Sequence, residues 1–319
     1  MQALGRFLCL VAVLPAAALA ATHPRGAALA HQPSLLSSAP SRLNHLGQIV
    51  VPVMIDGHGP FPFLVDTGAN GSVIAPRLVK TLGLIPREGR VERVEGVTGT
   101  QPLPWVSVRR LQVGRIVKRD VRMPVCSTPI MTEVDGILGM AGFGPVRIAV
   151  DFRHNRVAID RSSRGPMWGF LDIRAVRTPG GLLMIPARVD GLAVEAVIDT
   201  GSPVTLGNPA LRRALLSRGG SGATTPIYGV TQQVSTGSTA VAPTLILGPV
   251  AIQHLPIVYS DVPIFREWNL QGKPAVIIGT DVLSVADSLV LDYPRARVYI
   301  LPAPPPISML VADSVIPGG

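Results

Sequence analysis

Two aspartates in this chain stand in the same tripeptide, Asp66-Thr67-Gly68 and Asp199-Thr200-Gly201. Apolar residues lead into both, Phe63-Leu64-Val65 into the first and Val197-Ile198 into the second. A single Asp-Thr-Gly would arise by chance in roughly one chain in fifteen of this length at ordinary residue frequencies. A pair in matching surroundings carries far more weight. Two carboxyls about 3 Å apart cannot both ionise cheaply, so they share a proton and titrate as a coupled pair, one low and one raised. The ionised member can take a proton from a water held between them, while the protonated member donates to the carbonyl which that water attacks. The product is a tetrahedral intermediate with no covalent adduct to the protein.

Such chemistry needs elements that bring the two acids together, and the chain repeats those as well. Residues 48–57 end at Asp56-Gly57 and answer to residues 182–191, which end at Asp190-Gly191. Both runs read as strands turning at Asp-Gly, and the apolar residues before each Asp-Thr-Gly read as a second, buried strand. Ile137-Leu138-Gly139 and Ile277-Ile278-Gly279 follow their aspartates by 73 and 80 residues, and polar turns at Asp151 and Asp292 come after them. A short helix is expected after each triplet, from Pro76 to Leu82 and from Asn208 to Ser217, with Asn208 as N-cap and Pro209 at the first helical position. Hairpin turns are expected at Gly114 and Gly248. The Gly-containing stretches 95–100 and 228–233 read as hairpin tips at matching places. Duplication of this kind implies a pseudo-twofold axis on which the equivalent loops meet.

The 319 residues are 47% hydrophobic and 15% charged, enough for two compact domains. Gly and Pro number 33 and 31, which favours many short strands and turns, so the fold class is mostly β with a short helix per lobe. Residues 1–20 carry one positive charge, an apolar stretch and a small-residue end, and read as a secretory signal cut after Ala20, with Ala30 a second candidate. The chain is therefore expected to be exported, periplasmic or secreted, with no transmembrane segment once the signal is gone. Residues 21–45 read as a flexible leader, 46–161 as a first lobe, 162–170 as a linker, 171–301 as a second lobe and 302–319 as a Pro-rich tail.

Several functions are disfavoured. Six scattered histidines have no zinc-ligand spacing, so neither metal nor cofactor is expected. Cys9 lies in the signal, which leaves Cys126 alone in an apolar context that favours an inert buried thiol. The net charge of +9 is carried mainly by arginines. Those between Arg109 and Arg122 alternate with apolar residues as on an exposed sheet face, without interleaved aromatics, so nucleic acid is not an expected partner. Gly139 to Gly144 lacks the following helix and distant acid of a dinucleotide loop, and no serine-hydrolase elbow is present. Asp56 and Asp190 read as turn residues, and Asp151, Asp281 and Asp292 as turn or surface acids.

The two triplets, Ala69 after the first, Ser202 after the second, and the two apolar-apolar-Gly triplets together resemble the aspartic peptidase superfamily. The closer likeness is to its bacterial retropepsin-like aspartyl proteases with two lobes in one chain. The resemblance spans about residues 46 to 301 and implies a two-lobed, pseudo-twofold fold. It implies Asp66 and Asp199 as the catalytic dyad, supported by Thr67, Gly68, Thr200, Gly201 and Ser202, with the strands ending at Gly139 and Gly279 threading beside the loops. Thr67 and Thr200 are expected to bond across the axis, and the Ser202 hydroxyl to bond Asp199, which would leave Asp66 the less stabilised anion. Pro203 and the absence of a tyrosine from the first hairpin tip depart from the family pattern. Trp105 lies near that tip, and Tyr228 stands in the second. The implied activity is endoproteolysis of an extended polypeptide by a monomer whose lobes mimic a dimer. A non-catalytic peptide-binding protein, or an assembly protein retaining the fold, are the other readings of the same residues.

Overall fold

The computed structural model describes residues 6–9, 38–87, 89–140, 143–162, 169–178, 180–215 and 224–303. Most of the expected signal and leader, residues 163–168 of the expected linker and nearly all of the Pro-rich tail lie outside them. The protein is mostly β, with its few helices short.

Local chemistry accounts for the repeated hairpins. Strand Ile49–Ile55 buries most of its residues and turns through Asp56 and Gly57 into strand His58–Asp66. Strand Leu183–Val189 buries alternate residues and turns through Asp190 and Gly191 into strand Leu192–Ile198. Both aspartates take φ of 50°, and the glycines after them 88° and 82°. A two-residue hairpin loop with two positive-φ positions is where Asp-Gly fits best, because its twist matches that of the flanking strands. The hairpin turns expected at Gly114 and Gly248 are present, closed by the pairs Val113–Ile116 and Leu247–Val250.

Each half then builds the same crossing. Strand Gly136–Gly139 lies parallel to Phe63–Asp66 with Gly139 opposite Asp66, and antiparallel to Val73–Ile74 on its other side. In the second half Ala275–Ile278 runs parallel to Glu195–Ile198 and antiparallel to Leu206–Gly207. Helix Pro76–Thr81 follows the first crossing and helix Pro209–Leu215 the second. Asn208 Oδ1 accepts from Leu211 N at 2.8 Å, which makes it the N-cap, and residues 216–217 lie outside the described region.

A third sheet of six strands draws on both halves. Its order is Leu171–Arg174, Arg297–Pro302, Ala286–Asp292, Val146–Asp151, Arg156–Arg161 and Ser38–Pro40. Its centre is the antiparallel pairing of Val146–Asp151 from the first half with Ala286–Asp292 from the second. Val150, Ile148, Leu289 and Leu291 from that pairing belong to one apolar core that continues into the strands of both halves. The halves are therefore joined by backbone hydrogen bonds and a shared core.

Two of the acids read as turn or surface residues also make inward bonds. Asp292 is 1% exposed and accepts from Ser162 Oγ at 2.8 Å and Arg295 N at 3.2 Å, holding the turn into the last strand from inside. Asp281 keeps an exposed side on the helix Thr280–Leu283, but its carboxylate turns inward onto Thr205.

Candidate active site

Asp66 is the last residue of its strand and Asp199 follows directly on the equivalent strand. The crossing strands hold the two loops through the backbone: Met140 N donates to Asp66 O at 3.1 Å, and Asp199 N to Ile278 O at 3.0 Å. Glycine is needed where the crossing passes the loop. A Cβ on Gly139 would stand 2.2 Å from Gly71 O, and one on Gly279 2.4 Å from Val204 O. Six residues after each aspartate a hydroxyl braces that glycine: Gly139 N donates to Ser72 Oγ at 3.2 Å, and Gly279 N to Thr205 Oγ1 at 3.3 Å. Asp281 orients Thr205 in turn, accepting from its amide at 2.9 Å and its hydroxyl at 2.8 Å. Burial of that carboxyl raises its pKa to about 6 against the pull of these bonds.

The two loops meet. Thr67 N donates to Thr200 Oγ1 at 3.2 Å and Thr200 N to Thr67 Oγ1 at 3.0 Å. Each hydroxyl then donates back into the opposite strand, Thr67 Oγ1 to Ile198 O at 3.0 Å and Thr200 Oγ1 to Val65 O at 2.8 Å. Four hydrogen bonds thus tie the residues flanking one aspartate to those flanking the other. Asp66, Thr67, Asp199 and Thr200 are all fully buried. The carboxyl of Asp66 is a side-chain hydrogen-bonding neighbour of Asp199, and the Asp199 carboxyl also meets the amides of Gly201, Ser202 and Gly68.

Burial dominates the electrostatics. It raises the Asp199 pKa to about 7, although the backbone donors and Asp66 pull it down, so Asp199 holds its proton far above the ordinary carboxyl range. The bond expected from the Ser202 hydroxyl to Asp199 is not made. The single proton of the Ser202 hydroxyl goes to Val204 O at 2.6 Å, so Ser202 serves Asp199 with its amide instead. Tyr293 comes from the turn of the joining sheet, and its hydroxyl donates to Thr67 O at 3.5 Å. Burial and both aspartates hold that phenol protonated, so it is a fixed donor beneath the loops.

The hairpin tips are not surface turns. Val97 is buried among Leu182, Ile227, Phe265 and other side chains of the second half. Val230 is buried among Leu64, Val94, Cys126 and Ile130 of the first. Each tip therefore inserts into the opposite half. Thr98 Oγ1 lies 2.9 Å from Thr231 Oγ1, Gln232 N donates to Gln101 Oε1 at 3.0 Å, and the Cys126 thiol donates to Val230 O at 2.9 Å. Burial raises the Cys126 pKa to about 11, the inert thiol read from its apolar context. The guanidinium groups of Arg87 and Arg122 lie over the Trp105 ring at 5.9 and 5.0 Å. Tyr228 ends the strand before the second tip, half-buried.

Sequence reasoning missed Tyr293, Thr205, Ser72 and Gln48, whose partners lie far along the chain. The pairing of Ser72 with Thr205 at one offset was a signal that could have found two of them. The model of a family described as aspartyl protease matches the chain twice, over residues 51–141 and 185–282. Each match holds one Asp-Thr-Gly loop and its crossing strand. Comparison with curated proteins gave no match.

Proposed function

Because this chain belongs to the aspartyl protease family, we propose that it is an exported aspartic endopeptidase that cuts extended polypeptides with a water activated between Asp66 and Asp199. The observation that carries this reading is the reciprocal Thr67–Thr200 bonding, which holds two buried carboxyls side by side in loops that share the Asp-Thr-Gly triplet. Buried together, the two acids favour a state with one shared proton, and a monoanionic pair supplies a base and an acid at one point. One member of the pair holds the proton and polarises the substrate carbonyl, while the other takes the proton of the attacking water. Thr67, Thr200, Gly68, Gly201 and the amide of Ser202 hold the carboxyls, and Gly139 and Gly279 let the crossing strands lie against them. The interlocked tips exclude bulk water and part to admit substrate.

Export rests on residues 1–20. Among the described residues no helix is long and apolar enough to cross a membrane. The working unit proposed is one chain, since the second aspartate comes from its own second half.

An unfolded protein and a set of apolar-centred peptides, incubated with the mature chain from pH 3 to 8, test the reading. Cleavage blocked by an inhibitor with a statine hydroxyl supports it. Peptide binding without turnover at any pH favours a non-catalytic binding protein.

A further inference from the structure

Gln48 is a polar side chain with no exposed surface, contributed by the first half to the loop of the second. Its Nε2 donates to Gly201 O at 2.5 Å, and its Oε1 accepts from Asn44 Nδ2 at 2.9 Å. The Gln48 amide donates to Asn44 Oδ1 at 2.9 Å, so Asn44 fixes both the backbone and the side chain. A buried carboxamide is costly to desolvate, and this one is held at both ends. Gly201 O and Ser202 N belong to one peptide group, and the Ser202 amide is one of the donors to Asp199. A bond accepted by the carbonyl of a peptide polarises its N–H, which then donates more strongly.

The other half has no counterpart. The pairs Val50–Leu64 and Met184–Val197 bring Leu182 to the position that Gln48 occupies, and Leu182 is fully buried with no donor on its side chain. Two acids in identical Asp-Thr-Gly triplets therefore receive unequal support.

We propose that Gln48 is a positioning residue of the acid pair, acting through the Gly201–Ser202 peptide to aim and strengthen the amide that Asp199 accepts. The proposal rests on the proteolytic reading of that pair. Among the described residues, the other charged or titratable groups on the elements around Asp199 are Asp66 beside it, Tyr293 beneath the loops, Arg177, whose guanidinium donates to Tyr293 O, and Asp281 behind Thr205. Gln48→Met leaves all four in place and keeps the side-chain length without the donor.

Loss of the donor makes the Asp199 anion less favourable, so its proton leaves at higher pH. In Gln48→Met the alkaline limb of the kcat profile is expected to rise by roughly half a pH unit. The acidic limb should stay put, kcat at the optimum should fall several-fold, and KM should stay within about twofold. Asn44→Asp keeps the acceptor for the turn but removes the donor that holds Gln48, and should move the same limb less far. This second variant carries the test if Gln48→Met does not fold. Carboxyl-carbon NMR titration of Asp199, identified by its loss in Asp199→Asn, reads the same shift without turnover. An inactive wild type with a shifted Asp199 titration would sink the proteolytic reading and keep the positioning role. Limbs and titration unmoved in folded variants would overturn the role itself.

Discussion

Removing either acid should separate chemistry from folding. Asp66→Asn and Asp199→Asn are each expected to lower kcat by at least about 10³-fold while the fold is retained, because the pair acts as a unit and a neutral amide replaces a buried acid. Circular dichroism alongside the peptidase assay checks both parts. The raised Asp199 pKa also fixes the sign of a stability effect. An acid that keeps its proton to about pH 7 when folded but loses it near pH 4 when unfolded contributes stability that is full below pH 4 and fades as pH rises through 7. Urea unfolding should thus weaken over that window by at most about 1.4 kcal/mol per pH unit from this proton, and Asp199→Asn should flatten the slope. Asp66, Asp199 and the threonines beside them were legible in sequence because a whole triplet repeats. Gln48 and Tyr293 were not, since each matters only for a bond to a loop 153 or 226 residues away. The Ser202 hydroxyl was misassigned because its acceptor is the carbonyl two residues on, a local choice that the residue type leaves open.

The crossing strands are the elements least tolerant of change. Gly139→Ala or Gly279→Ala forces a Cβ into backbone oxygen, and a loss of about 2–5 kcal/mol, or failure to fold, is expected in denaturant titrations. Both glycines stand at the ends of matching apolar triplets, so the elements could be read from sequence, and the Asp-Gly turns could be read from their backbone demands. The hairpin tips could be located but not placed. Their polar, Gly-containing sequence suits a surface turn, and burial follows only because each tip finds an apolar socket in the other half. Thr231→Ala removes the hydroxyl contact to Thr98 without touching either socket. Amide exchange at Val97 and Thr98 should then speed up by roughly fivefold, corresponding to about 1 kcal/mol of lost closure. Unchanged exchange would mean that the apolar sockets alone keep the tips shut.

The shared six-stranded sheet and the core beneath it should make the molecule unfold as one cooperative unit. Residues 38–162 and 169–303 expressed apart should each lack the cooperative unfolding of the intact chain, because each would expose the sheet edge and core surface that the other covers. Two lobes followed from the repeat in the sequence, whereas this joining sheet did not, since its central strand pair links residues near 148 to residues near 291. The arginine excess finds local acids at several points, such as Arg77 with Asp135 at 2.7 Å and Arg122 with Glu92 at 3.3 Å. The sheet, the core and the crossing strands hold together Asp66 and Asp199, for which we propose a shared proton and a jointly activated water. The pH dependence of kcat/KM on a cleavable peptide, measured for the wild type beside Asp199→Asn, tests it most directly. A bell is expected whose alkaline limb lies near pH 7 and which vanishes in the variant. Cleavage persisting in the folded variant with the same profile would contradict it.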